Sequence, residues 1–160
     1  QVRRATIVAH DNRHDLALLR IDGEPLPALE LGDSSKAKEG QQCAFTGFPI
    51  GPVLGLHPVT HAGIISAITP IAIPLPTSRN LNSLIINRLN NPFDVLQLDA
   101  IAYPGNSGSP LYDVSTGEVL GIVNAVFVKE SKESILQRPS GISYAIPINY
   151  AHALIKSSRE

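Results

Sequence analysis

The sequence predicts an all-β fold, and two observations carry that reading. Its apolar residues fall in short runs rich in Val, Ile and Leu, and 12 Gly and 13 Pro punctuate those runs with tight turns, with neither Trp nor Met anywhere. With 160 residues, of which 43% are hydrophobic and 17% charged, the chain is long enough to bury a real core and forms one or at most two small domains. Thirteen basic residues against 14 acidic ones leave a net charge of −1 and no basic block. Nucleic acid and anionic membrane are therefore not expected as partners. No apolar run is long enough for a membrane span, and Gln1 opens the chain without a signal-like segment, which reads as a cut or processed end.

The elements follow in order. "ATIVAH" (5–10) and "LALLRI" (16–21) read as strands joined by the polar "DNRHD". "PALELGDSSKAKEGQ" carries Asp33 and Ser34 ahead of a single helical turn that closes at Gly40. "QCAFTGFPIG" is a strand that breaks at Gly47 and Pro49, and Cys43 within it is the sole cysteine, which reads as a buried structural thiol without a disulfide partner. "VTHAGIISAI" (59–68) is the next strand. "TPIAIPLPTSRNLN" is too rich in proline for a central strand, so residues 70–93 read as a long loop with a helical turn in "SLIINRLN". "DVLQLDAIA" and "GEVLGIVNAVFV" are strand-like runs flanking "YPGNSGSPLYD", the second after a hairpin turn in "STGE". "GISYAIP" reads as a strand and "NYAHALIKSS" as a terminal amphipathic helix, with Tyr150, Leu154 and Ala153 on one face and Asn149 as its cap. Internal repeats, low-complexity segments, metal-ligand clusters, phosphate loops and cofactor signatures are absent from the sequence.

Taken alone, the Gly/Ser/Pro cluster around Ser107 is a turn. Its company gives it another meaning. "GNSGSPL", preceded by "LQLDA" and followed by "VLGIVNAV", resembles the nucleophile region of trypsin-like serine proteases, in particular the HtrA/DegP group, whose character lies in Asn106 and in "GISYAIP". "HDLALLRI" resembles the segment that supplies the family's triad aspartate. "LELGDSSKAKEGQQCAFTGFPIG" with "HAGIISAI" resembles its link into the second barrel. Nearly the whole chain is covered in this way, apart from 70–93.

The resemblance implies a chymotrypsin-like double β-barrel with a C-terminal helix. Residues 1–39 would be the remnant of the first barrel with its linker, and 40–160 the second barrel and helix. It implies a serine endopeptidase in which Ser107 is the nucleophile and Asp15 the carboxylate that holds an imidazole in one tautomer. The backbone N–H groups of Gly105 and Ser107 would be the oxyanion donors. Ile101, the strand Asn124, Ala125 and Val126, and the segment Gly141, Ile142 and Ser143 would line the substrate pocket. No carboxylate stands among them, so a small or medium apolar side chain is expected there rather than Lys or Arg. Strand 124–126 would also pair with an extended protein or peptide substrate. Because Asn106 is an amide where relatives activated by cleavage use aspartate, activation through an ion pair with a new amino terminus is not expected.

The base is the missing part. The family's histidine lies well before its aspartate, whereas His10, His14, His57, His61 and His152 match no such place and read as surface or loop histidines. The resemblance then implies a chain that starts near the end of the first barrel, keeps Ser107 and Asp15, lacks the base and is inactive as a fragment. Apolar faces on residues 5–21 would need cover from a missing N-terminal segment or a neighbouring chain, with a homo-oligomer as the family habit and a periplasmic or other extracytoplasmic location. Two other classes stay open: a catalytically inactive protease homologue that serves as a peptide-binding module, and a structural β-domain with a fortuitous serine turn.

Overall fold

The computed structural model describes residues 3–49, 55, 57–70, 92–124 and 142–159. At the N-terminal end β1 (Ala5–Asp11) and β2 (Leu16–Ile21) form an antiparallel hairpin, a two-stranded sheet of its own, in a register running from Ala5 opposite Ile21 to Asp11 opposite Leu16. The turn between them is made by Asp11, whose Oδ1 accepts the N–H groups of Arg13 (2.9 Å) and His14 (3.1 Å), as short acidic side chains do at turns. A two-stranded sheet has nothing to pack on by itself, and Ile7 and Leu19 are 64% and 52% exposed, with Val8, Ile21, Leu26 and Leu29 also open.

The remaining strands close a barrel. They are β3 (Gln42–Gly47), β4 (Val59–Pro70), β5 (Asp94–Asp99), β6 (Pro110–Asp113), β7 (Val119–Asn124) and β8 (Ile142–Pro147). Their spatial order is β3-β4-β5-β8-β7-β6, with β6 pairing back onto β3. Closure leaves these strands without an open edge, and side chains alternate across the wall. Cys43, Phe45, Ile65, Leu96, Leu98, Leu111 and Val123 fill the interior. In β5 the neighbours Val95 and Leu96 are both buried because there is a core on each side of the wall. Outside it, Leu16, Phe93, Val95 and Ile146 pack with Tyr150, Ala151 and Leu154 of the C-terminal helix α1 (Ile148–Ser157). That outer cluster fastens the start of β2 to the barrel.

Several expectations are met and some are corrected. Ser34–Lys36 form the single 3₁₀ turn, capped by the Asp33 side chain. The hairpin between β6 and β7 is tied by Asp113, whose carboxylate takes the backbone N–H groups of Ser115 and Thr116, the Ser115 hydroxyl and the Gln41 amide; these bonds, led by Ser115 and Gln41, hold its pKa well below the ordinary carboxylate value. Cys43 is buried, and burial together with the Asp113 charge pushes its thiol up to about 11, so it stays an unreactive structural group. By contrast, Asn149 does not cap the helix. Helix α1 starts one residue earlier, after Pro147, and Asn149 ties it to the 3₁₀ turn by accepting the Ser34 N–H (3.1 Å) and donating to Asp33 Oδ1 (2.9 Å). Ala153 is exposed, and Ala151 takes its place on the packed face. Strand β4 runs on through Pro70, the strand in "DVLQLDAIA" stops at Asp99, and β6 is a strand that the turn reading of "GSPLYD" missed. The helical turn expected in "SLIINRLN" lies outside the described residues, as do Ala125, Val126 and Gly141.

Candidate active site

Asp15 sits between two anchored neighbours. The His14 ring stacks on Tyr150 (centroids 3.9 Å apart), meets Phe93 edge-on (4.6 Å) and places Nδ1 2.5 Å from Asp11 Oδ2. Leu16 is buried in the outer core. Burial alone would raise the Asp11 carboxyl, but hydrogen bonds from the His14 side chain and backbone outweigh it and leave the pKa lowered. Pinned on both sides, Asp15 adopts a left-handed backbone (φ 57°), a conformation aspartate tolerates better than most residues. Its Oδ2 accepts a hydrogen bond from Asn124 Nδ2 at 3.0 Å. Asn124 ends β7 and is itself buried, so the bond joins the hairpin to the barrel wall.

One residue back on the same strand, β7 holds the serine loop. Val123 accepts the Gly108 N–H (2.8 Å) and donates its own to the Ser109 carbonyl (2.9 Å). The loop is closed on its other side by the Asn106 N–H on the Tyr103 carbonyl (2.9 Å), with Ser109 N–H on the Asn106 carbonyl (3.1 Å). Gly105 and Gly108 both take positive φ, 103° and 86°, which residues with a Cβ resist. Ser107 is exposed while its neighbour Asn106 is fully buried. Adjacent residues of β7 thus hold Asp15 and the loop that presents Ser107. Of the expected pocket residues, Ile101 is half-buried and its neighbour Ala102 donates its N–H to the buried Ser143 Oγ (2.8 Å), which brings the segment before the loop against β8. Ile142 pairs through its backbone with Asp99.

A family model for the trypsin-like peptidase domain matches residues 1–122. The chain belongs to the trypsin-like peptidases. It is of their HtrA/DegP type: a probable periplasmic serine endoprotease, DegP-like, from Halomonas elongata is 37% identical over 148 residues, 92% of this chain and 26% of that protein. A protein of the same name from Pseudomonas putida (strain W619) is 38% identical over the same shares of the two chains. The solved structure of the HtrA-type protease AlgW with a decapeptide superposes with a TM-score of 0.68 at 32% identity, covering 96% of this chain and 40% of that one; AlgW with a tripeptide gives 0.69 and 33%, covering 96% and 42%. The chain therefore spans about a quarter of the curated relatives and about two fifths of the solved chains. The closed barrel beside an open sheet is the chymotrypsin-like arrangement that the resemblance led one to expect, with the second barrel complete.

In this trypsin-like domain His14 adjoins Asp15 in the chain and His61 packs against Tyr103, but among the described residues the ring hydrogen bonds of His14 and His152 go to Asp11 and Gly32 rather than to Ser107 or Asp15. His10 is exposed on β1 opposite Ala17, His57 is exposed, and His152 Nε2 lies 3.0 Å from the Gly32 carbonyl. His14 and His61 correct the expectation of surface or loop histidines. His14 is locked between rings as described, and His61 lies within β4, stacked on Phe45. From the sequence Asn124 is expected only in the pocket wall. Its bond to Asp15 is a contact between residues 109 apart, signalled only by a polar side chain ending the otherwise apolar run "VLGIV".

Proposed function

We propose that this chain supplies the nucleophile, the orienting carboxylate and the oxyanion donors of a serine endopeptidase. The observation that carries the reading is the hydrogen bond from buried Asn124 to Asp15 beside the β7 residue that holds the Ser107 loop. Ser107 Oγ attacks the peptide carbonyl while an imidazole takes its proton, and Asp15 fixes that imidazole's tautomer and stabilises the cation it becomes. The oxygen that gains charge is received by the N–H groups of Gly105 and Ser107, donors worth roughly 3 kcal/mol each in such sites. The imidazolium then protonates the leaving amine, and water releases the acyl group from Ser107 by the reverse steps. Since the five histidines here are engaged or exposed elsewhere, the base is an imidazole from polypeptide beyond these residues, and the 160 residues alone are inactive.

Residues 1–39 then form part of a first barrel with its linker, and 40–160 the second barrel with its helix. The open apolar groups of β1 and β2, Ile7, Val8, Leu19 and Ile21 among them, are covered in the working protein by further polypeptide, from the same chain or a neighbouring copy. The names of the relatives favour a periplasmic protein acting on peptides or proteins. Asn124 is assigned here to holding Asp15. Asn124→Ala should lower kcat roughly tenfold to a hundredfold, the value of one hydrogen bond to a charged group. Ile101 and Ser143, with Ala125, Val126, Gly141 and Ile142, shape an apolar pocket. Profiling the intact gene product on a peptide library tests the reading: cleavage after small and medium apolar residues is expected, and a preference for Lys or Arg would contradict the pocket assignment.

A further inference from the structure

The serine loop rests on a histidine whose ring nitrogen has no polar partner. His61 stands opposite Phe45 in the β3–β4 register, its ring stacked on Phe45 at 5.1 Å and tilted against Tyr103 at 5.9 Å, with Nε2 buried and unbonded. Tyr103 closes the serine loop by accepting the Asn106 N–H at 2.9 Å. Two residues beyond Phe45, on the same face of β3, Gly47 also touches the loop: a methyl group there would lie 2.7 Å from Asn106 Oδ1 and 2.3 Å from Ser109 Oγ. Phe45, His61 and Gly47 are therefore the bed on which Tyr103, Asn106 and Ser109 sit.

We propose that His61 is a positioning residue for the serine loop that works in its neutral form, so that protonation of its ring releases Tyr103 and loosens the turn carrying Gly105, Asn106 and Ser107. The proposal rests on the reading above only for its consequence in catalysis. A neutral imidazole stacks on Phe45 as an aromatic ring and leaves one nitrogen lone pair unused. Protonation turns Nε2 into a buried, charged donor with no acceptor, and attraction to the Phe45 face offsets only part of that cost.

No carboxylate is placed to compensate among the described residues. β3 (Gln42–Gly47) has no charged side chain, and around His61 on β4 neither do Val59, Thr60, Ala62 and Gly63. From the loop the facing groups are the neutral Asn106 amide and the Tyr103 phenol; from the end of β5 the Asp99 backbone carbonyl lies against Gly63, with the Asp99 side chain exposed. Burial accordingly lowers the His61 pKa from its ordinary 6.5. Below that value the unfolded ring binds protons that the folded one refuses. The packing is thus fully stable at neutral pH and weakens as the pH falls from 6.5 toward the lower folded value.

Amide hydrogen exchange on the full gene product tests this without requiring activity, so a failure of the protease reading leaves it standing or falling on its own. Corrected for intrinsic rates, protection of the hydrogen-bonded Asn106, Gly108 and Ser109 amides should fall severalfold between about pH 7.5 and about pH 5. His61→Phe keeps the ring and cannot titrate, so its protection should stay level. Level protection in both proteins, or the same fall in both, overturns the proposal. Should His61→Phe not fold, the wild-type ring titration decides: His61 and Tyr103 resonances must share one midpoint below 6.5, and separate midpoints overturn it.

Discussion

Asp15→Asn is expected to lower kcat about 10⁴-fold, with KM and the thermal midpoint close to those of the parent protein. The change costs little structurally. Asp15 is exposed, asparagine accepts the left-handed backbone as readily as aspartate, and the new amide oxygen can still receive the Asn124 hydrogen bond. What the amide cannot do is accept the imidazole N–H in the tautomer that leaves the other nitrogen free to take the Ser107 proton. Nor can it stabilise the imidazolium that follows. Steady-state kinetics on an apolar peptide, run beside a thermal melt, check this. A loss below about tenfold, no larger than that expected for Asn124→Ala, would take Asp15 out of the proton relay.

Gly63→Ala carries the largest expected effect on stability. A Cβ at Gly63 would lie 2.2 Å from the Asp99 carbonyl oxygen and 2.9 Å from the Ala100 Cβ, so the clash is with backbone that cannot rotate away. Relief requires β4 to move from the end of β5, next to the segment leading to Ile101 and the serine loop. Overpacking of this kind costs about 3 kcal/mol. For a domain of this size that corresponds to a fall of roughly 6–12 °C in the melting midpoint. Activity should fall with it, since the loop hangs from Asp99 through Tyr103. An unchanged midpoint would mean that β4 and β5 do not approach as closely as described.

Much of this was legible in the sequence because it is local. Runs such as "LALLRI" and "QCAFTG" alternate or bury themselves at strand spacing, and β2 and β3 lie where those runs lie. Asp33 announces its turn by a cap that acts two residues on. The trypsin-like family was legible for a different reason, since several short motifs stand in one order along the chain. What escaped the sequence is long-range. β6 has four residues starting at a proline, and it counts as a strand only because β3 and β7 flank it. Asn149 looks like a helix cap until Asp33 and Ser34, more than a hundred residues earlier, offer it better partners. His14 and His61 are polar by type, yet each packs against aromatic rings brought from elsewhere in the chain and is half-buried. Asn124 likewise discloses its bond to Asp15 only once the hairpin has docked on β7.

The central claim is that Ser107 is an activated nucleophile, and covalent labelling of the intact gene product with a fluorophosphonate tests it most directly. The account predicts one phosphonyl group on the peptide containing Ser107, no label in Ser107→Ala, and labelling that slows sharply in Asp15→Asn. A folded protein with its serine intact that takes up no label at that peptide would contradict it.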